Sequence, residues 1–168
     1  MKKKTSSALI RSVLALLLVG SADAAPMTYS LSELAPVGGH YSNAISLNST
    51  GQIVGISSLP GDLYSQAVVW NDSASVIFST EGIITSINES GQVAGYFNDR
   101  YGNRAFLGDI RGWRVDLGDP LQNSIAYDLN NFGQVVGSLQ TNGAPVATLW
   151  SDSAPTALGP LDGTYSAA

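Results

Sequence analysis

The 168-residue chain is predicted to fold as an all-β protein made of repeated four-stranded units of about 40 residues. One segment, N-x-x-G-Q-[IV]-[VA]-G, occurs three times at spacings of 40 and 42 residues, a period typical of solenoids, propellers and arrays. Each period contains four short apolar segments separated by turn residues, and no stretch after residue 25 shows apolar residues at helical spacing. Because four strands make one blade of a β-propeller, the units are expected to be propeller-like blades.

Each copy of the repeated segment predicts a turn between two strands. Asn at the first turn position and Gly three residues later favour a type I turn that ends in a left-handed residue, which makes a bulged hairpin. A second Gly, four residues further on, is expected to let a neighbouring backbone or aromatic ring approach closely. The structural turn residues are Asn48, Gly51, Gly55, Asn88, Gly91, Gly95, Asn130, Gly133 and Gly137.

Three full units are predicted, spanning approximately residues 43–80, 81–118 and 123–159. The turn joins the first and second strands of a unit, and a third and a fourth strand follow. Trp70 and Trp150 end their third strands at equivalent positions, so they are expected to pack in the core.

Partial units are predicted at residues 27–42 and 160–168. Met27 to Leu34 aligns with a fourth strand. Closed propellers have at least about four blades, so three full units leave two sheet faces without a neighbour. Two hypotheses follow: further repeats are missing from this chain, or a homodimer closes a six-blade ring.

Residues 1–24 are predicted to be a signal peptide. Basic residues precede a short apolar segment, Val13–Gly20, that falls far below the roughly 20 residues needed to cross a bilayer. Cleavage is expected between Ala24 and Ala25 after the small-x-small sequence Ala-Asp-Ala. Residues 25–168 would then be the β-repeat domain, exported by a bacterium to the periplasm, the cell surface or the medium, with no membrane span.

Composition excludes several classes of function. The mature chain keeps four Arg, no Lys and twelve acidic residues, a formal charge of −8, which argues against nucleic-acid binding. Without Cys there is no disulfide or thiol chemistry, and one histidine cannot form a His/Cys metal cluster. That histidine, His40, is expected on a surface loop. No catalytic residue, metal or cofactor is predicted.

The most uneven feature of the mature chain is basic and lies in the second unit. Its arginines and two aromatic residues form one stretch suited to binding an anionic glycan or a partner carboxylate through bidentate hydrogen bonds and stacking. The candidate ligand-binding residues are Arg100, Tyr101, Arg104, Arg111, Trp113 and Arg114. Alternatively, these arginines pair with the nearby acids Asp99, Asp109 and Asp116.

Three acidic residues of the same region are also considered as a catalytic carboxylate pair. Asp109, Asp116 and Asp119 are close enough in sequence to supply a carboxylate pair for glycoside hydrolysis. Along a strand and its turns, such residues more often lie at the solvent edge, and that is the expectation here.

The whole repeat resembles the bacterial extracellular HAF repeats, in which I/L-N-x-x-G-Q-V-V-G precedes x-A-F-L-W and a Leu-Gly turn. The His-Ala-Phe triplet stands here as Gln66-Ala67-Val68, Arg104-Ala105-Phe106 and Val146-Ala147-Thr148, without the His. The resemblance covers residues 27–168 and implies an exported, propeller-type repeat protein without an established activity. It carries over no catalytic residue.

We therefore expect a binding or surface-interaction module that performs no catalysis and binds a glycan or a protein. The alternatives are a fragment of a secreted propeller-type polysaccharide-active enzyme and a purely structural array.

Overall fold

The computed structural model describes residues 28–61, 65–71, 74–79, 82–119, 121–152 and 154–159. The predicted signal peptide with its cleavage site at Ala24 and Ala25, and the partial unit at 160–168, lie outside these residues. Contacts divide the chain into Met1–Ser32 and Glu33–Ala168, and every strand belongs to the second part. Within the described ranges, no helix has the length and apolar character that crossing a membrane requires.

The described residues form twelve β-strands in three antiparallel sheets, which confirms the all-β prediction. The first sheet contains β1 (Ser42–Leu47), β2 (Ile53–Ser58), β3 (Ser65–Asn71) and β4 (Ala74–Ser79). The second contains β5 (Gly82–Ile87), β6 (Gln92–Asp99), β7 (Gly102–Asp109) and β8 (Arg114–Asp116). The third contains β9 (Ser124–Leu129), β10 (Val135–Thr141), β11 (Ala144–Ser151) and β12 (Ala154–Ala157).

Each sheet is a meander in which consecutive strands are hydrogen-bonded neighbours, and each closely follows the range of one predicted unit. The strand expected over Met27 to Leu34 is not formed in its described part, residues 28–34. A strand requires a partner for its backbone N–H and C=O groups, and no described strand pairs with this segment.

The core lies between successive sheets. We call the side of a sheet that packs on the next sheet its forward face, and the other side its backward face. The forward face of the first sheet carries Val54, Ala67 and Val69, which pack in one buried cluster with Ile84, Ile87, Val93, Phe97 and Phe106 of the second. The forward face of the second carries Ala94 and Ala105, which pack with Ala126, Leu129, Val135 and Trp150 of the third.

The second sheet is therefore covered on both faces. This explains why its strands have apolar residues at consecutive positions instead of alternating with polar ones. The two tryptophans that end third strands, Trp70 and Trp150, are both buried, which confirms their predicted place in the core.

Candidate ligand-binding site

The repeated N-x-x-G-Q turns have the predicted local geometry. In the first, the Gly51 N–H donates to the Asn48 carbonyl at 3.1 Å, and Gly51 has a φ of 83°. The Asn48 Oδ1 accepts a hydrogen bond from the Gln52 N–H at 3.0 Å, so the side chain caps the turn. The turns at Asn88 and Asn130 repeat these bonds.

The same turns also connect neighbouring sheets, a role that was not predicted from the sequence. Asn48 Nδ2 donates to the carbonyl oxygen of Asn88, and Asn88 Nδ2 donates to that of Asn130, both at 3.0 Å. The next residue adds a second link, since the Ser49 N–H and hydroxyl bond the carboxylate of Glu89. The motif therefore joins neighbouring sheets. The sequence signal for this role was the recurrence, at a nearly constant period, of an Asn with a Gln four residues later.

The second glycine of each repeat sits beside a β-bulge, which confirms the predicted close approach. Gly55, Gly95 and Gly137 each face a first strand at the point where its pairing register shifts. A Cβ at Gly95 would overlap the carbonyl oxygen of Ile83, so only glycine fits there.

The six candidate ligand-binding residues do not form one patch. Arg100 and Tyr101 lie in the β6–β7 turn, where the Arg100 Cζ is 4.9 Å from the centre of the Tyr101 ring. Arg111 and Trp113 lie in the β7–β8 turn, at the opposite edge of the sheet. β6 and β7 have 8 residues each, and strands of that length separate their two ends by roughly 25 Å. Proximity in sequence was misleading because the chain crosses the sheet between the two pairs.

The other two arginines are held by their own sheet. Arg104 forms an ion pair with Asp99 at 2.7 Å, and its other nitrogen lies 3.7 Å from Asp116. The Cζ atoms of Arg104 and Arg114 each lie 4.4 Å from the centre of the Phe97 ring. For Arg104, the alternative of pairing with local acids is therefore the observed one.

The three acids considered for glycoside hydrolysis are engaged locally. Asp109 Oδ1 accepts hydrogen bonds from the backbone N–H groups of Arg111 at 2.8 Å and Trp113 at 3.3 Å. Asp119 Oδ1 caps another turn through the Leu121 N–H at 2.8 Å, and Asp116 faces Arg104. His40 is exposed on the loop before β1, as predicted. Among the described residues, no three His, Asp or Glu side chains group as a metal site would require.

What remains as a candidate site is a groove beside the β7–β8 turn, which we call the rim groove. It has a volume of about 250 Å³ and is lined by Ser90, Gly91, Gln92, Gly108, Asp109, Ile110, Arg111 and Trp113. By the bounds of the described strands, four residues (110–113) separate the third and fourth strands of the second sheet, against two in each of the other sheets.

The extended turn is fixed in place at both ends. The Ile110 N–H donates to the Gly91 carbonyl at 3.1 Å, and the Ile110 side chain packs on the core between the first two sheets. The Gly112 N–H closes the turn on the Asp109 carbonyl at 3.0 Å. Trp113 is 61% exposed, and within the described part of the chain Arg111 forms no ion pair. An aromatic ring and a guanidinium are thus presented to solvent on a hydrogen-bonded turn that packs on the core through Ile110.

Comparison with known proteins found no matching family model, no matching curated protein and no matching solved structure.

Proposed function

We propose that the protein is an exported bacterial binding or surface-interaction module built of propeller-like blades, related to the HAF-repeat proteins. The arrangement of the sheets supports this proposal. Each is a four-stranded meander, and the first strands β5 and β9 both contact the preceding sheet. Blades of a propeller stack in this manner around a central axis.

The ligand is an acidic glycan or a carboxylate-bearing protein segment, bound in the rim groove. The single observation that carries this proposal is the exposed Trp113 ring beside Arg111. Sugar rings stack on indole faces through their C–H groups, and a guanidinium binds a carboxylate with two parallel hydrogen bonds. Arg111 supplies the positive charge of the groove, and the Oδ1 of Asp109, its acidic lining residue, already accepts two backbone N–H groups, so the guanidinium is available to an anionic ligand.

Binding of soluble polysaccharides to the purified exported protein tests the ligand. Acidic polymers such as polygalacturonate and alginate are compared with neutral dextran by affinity electrophoresis and calorimetry. Trp113→Ala and Arg111→Gln are each expected to weaken binding of the acidic polymer about tenfold, because each removes one of the two contacts.

The chain offers a matched control at the opposite edge of the same sheet. Tyr101→Ala and Arg100→Gln remove an equivalent aromatic and arginine pair outside the rim groove and are expected to leave binding unchanged. Failure of every acidic polymer to bind, poly-glutamate included as a carboxylate-bearing polypeptide, or an equal loss in both pairs of variants, would contradict the proposed site.

Export is tested by expressing the full chain in a Gram-negative bacterium and determining the N-terminus of the protein recovered outside the cytoplasm. The proposal predicts a product that begins at Ala25. A product retaining residues 1–24, or one found only in the cytoplasm, would refute export.

A further inference from the structure

The same kind of contact, between the forward face of one sheet and the backward face of the next, occurs twice in the described chain. A forward face carrying Val54 meets a backward face carrying Ile87 and Val93, and a forward face carrying Ala94 meets a backward face carrying Leu129 and Val135. Each contact is joined by one Asn-to-Asn hydrogen bond. One forward face and one backward face remain without a sheet against them among the described residues.

The unmatched backward face belongs to the first sheet. Leu47 is 70% exposed there, whereas its equivalents Ile87 and Leu129 are 5% and 8% exposed because the preceding sheet covers them. The Asn48 carbonyl accepts only the Gly51 N–H within the described chain, while the equivalent carbonyls also accept the Nδ2 of the preceding repeat.

The segment before β1 covers only part of this face. Trp70 Nε1 donates to the Ala35 carbonyl at 3.2 Å, and the Val37 N–H donates to Ser57 Oγ at 2.8 Å. The connection between the second and third sheets takes a corresponding position, because Gly118 lies beside Trp150. The segment thus replaces a connecting loop and leaves the place of a preceding sheet open at Leu47.

The unmatched forward face belongs to the third sheet. Asn130 is exposed and its Nδ2 donates only to Gln134 in the described structure, while Asn48 and Asn88 are buried and bond the next turn. A groove of about 210 Å³ runs beside it, lined by Asp128, Leu129, Asn130, Gln134, Val136 and Leu149. Val136 is half-buried, although its equivalents Val54 and Ala94 are fully buried.

We propose that a second copy of this chain occupies both surfaces, with the third sheet of each copy packed on the first sheet of the other. The forward face of the third sheet requires an occupant with an apolar side chain, like Ile87 or Leu129, next to a turn carbonyl that can accept another hydrogen bond. The backward face of the first sheet in a second copy offers both, at Leu47 and Asn48. Asn130 Nδ2 would donate to the Asn48 carbonyl of the second copy. Two such contacts would close a ring of six sheets, within the four to eight typical of propellers. The contact is heterologous, since two different surfaces meet.

The mass of the exported product of the full chain, measured by light scattering and sedimentation over a wide concentration range, tests the proposal. A dimer is expected at high micromolar concentration. Leu47→Arg at the backward end and Val136→Arg at the forward end are each expected to give monomers, because each places a charge in an interface that would be apolar. Tyr127 is exposed, and its equivalent Thr85 bonds the next sheet through the Ala126 carbonyl, so Tyr127 lies on the forward side. Tyr127→Arg therefore repeats the forward test, in case Val136→Arg disturbs the sheet.

Mixing the two classes of variant provides the decisive result. The Leu47→Arg protein keeps an intact forward end and the Val136→Arg protein keeps an intact backward end, so the mixture is expected to form a dimer through one contact. Leu121→Arg, at an exposed position outside both faces, is the control and should leave the dimer intact. Circular dichroism and thermal melting establish that every variant is folded.

Three results would overturn the proposal. The first is an unmodified protein that stays monomeric at every concentration, which would assign the open faces to another occupant such as additional repeats. The second is an oligomer whose mass neither end variant changes. The third is a pair of monomeric variants that fail to complement each other, since that would indicate contact between identical surfaces. The rim groove uses none of the substituted residues, so glycan binding succeeds or fails independently.

Discussion

Asn48 Nδ2 donates a hydrogen bond of 3.0 Å to the carbonyl oxygen of Asn88, a residue 40 positions later in the chain. The same bond joins Asn88 to Asn130 across 42 positions. The Asn side chain therefore performs two tasks at once: its oxygen stabilises its own turn, and its nitrogen fixes the position of the next one. The Gln of each motif adds to the joint, since Gln52 lies against Gly91 and Gln92 against Gly133.

Substitution of two equivalent asparagines should separate these tasks. Asn88→Ala removes the cap of a buried turn and the bond to Asn130, so a loss of about 2–3 kcal/mol in the free energy of unfolding is expected. Asn130→Ala removes the same cap from a turn that is exposed in a single copy of the chain, where water replaces the lost partners, and should cost about 1 kcal/mol when both asparagine substitutions are made in the monomeric Leu47→Arg protein. Urea denaturation of both variants measures the difference. Equal losses would show that the inter-sheet bond contributes nothing.

Gly95→Ala should be far more harmful than its small size suggests. The added methyl group would overlap the Ile83 carbonyl oxygen at the bulge, and neither strand can move without breaking its pairing. We expect a loss of about 3 kcal/mol or more, or failure to fold. Gly143→Ala is the control, because its Cβ would have no neighbour within 4 Å and the cost is that of a left-handed φ of 82°, about 1–2 kcal/mol. Thermal melts of both proteins compare the two, and a Gly95→Ala variant as stable as Gly143→Ala would contradict the steric argument.

The two core tryptophans should respond differently to removal of the indole N–H. Trp70 Nε1 donates to the Ala35 carbonyl, whereas the buried Nε1 of Trp150 has no partner among the described residues. Trp70→Phe therefore loses a hydrogen bond, while Trp150→Phe removes a polar group that burial had penalised. We expect Trp70→Phe to be the more destabilising by about 1 kcal/mol. Chemical denaturation monitored by the remaining tryptophans tests this order, and the reverse order would argue against it.

Arg104 should contribute to stability and Arg100 should not. Arg104 combines an ion pair at 2.7 Å with packing on Phe97, and its side chain is only 23% exposed. Arg104→Met is expected to cost about 1–2 kcal/mol, and part of that loss should disappear at high salt because salt already weakens the ion pair. Arg100→Met, in a turn at the opposite edge from the rim groove, should change the free energy of unfolding by less than about 0.5 kcal/mol. Denaturation of both variants at low and high salt makes the comparison, and equal effects of the two substitutions would remove the distinction between them.

The sequence by itself determined the all-β class, the three repeats and the geometry of their turns. Periodicity and turn chemistry are local, because an Asn cap and a left-handed Gly three residues later act within one turn whatever surrounds it. The second glycine could also be interpreted from the sequence, since a glycine in an apolar strand indicates a close approach. The predicted core positions of Trp70 and Trp150 followed from their equivalence between repeats.

Only the tertiary structure decided which arginines share a surface and what the repeated Asn binds. Arg100 and Arg111 are close in sequence, but they lie in turns at opposite edges of the sheet because strand β7 runs between them. The Asn88 Nδ2 finds its acceptor 42 residues away, and that partner exists only once two sheets have packed face to face. Local patterns specify turns and strands because their partners are near in sequence, whereas a site or an inter-sheet joint depends on long-range packing.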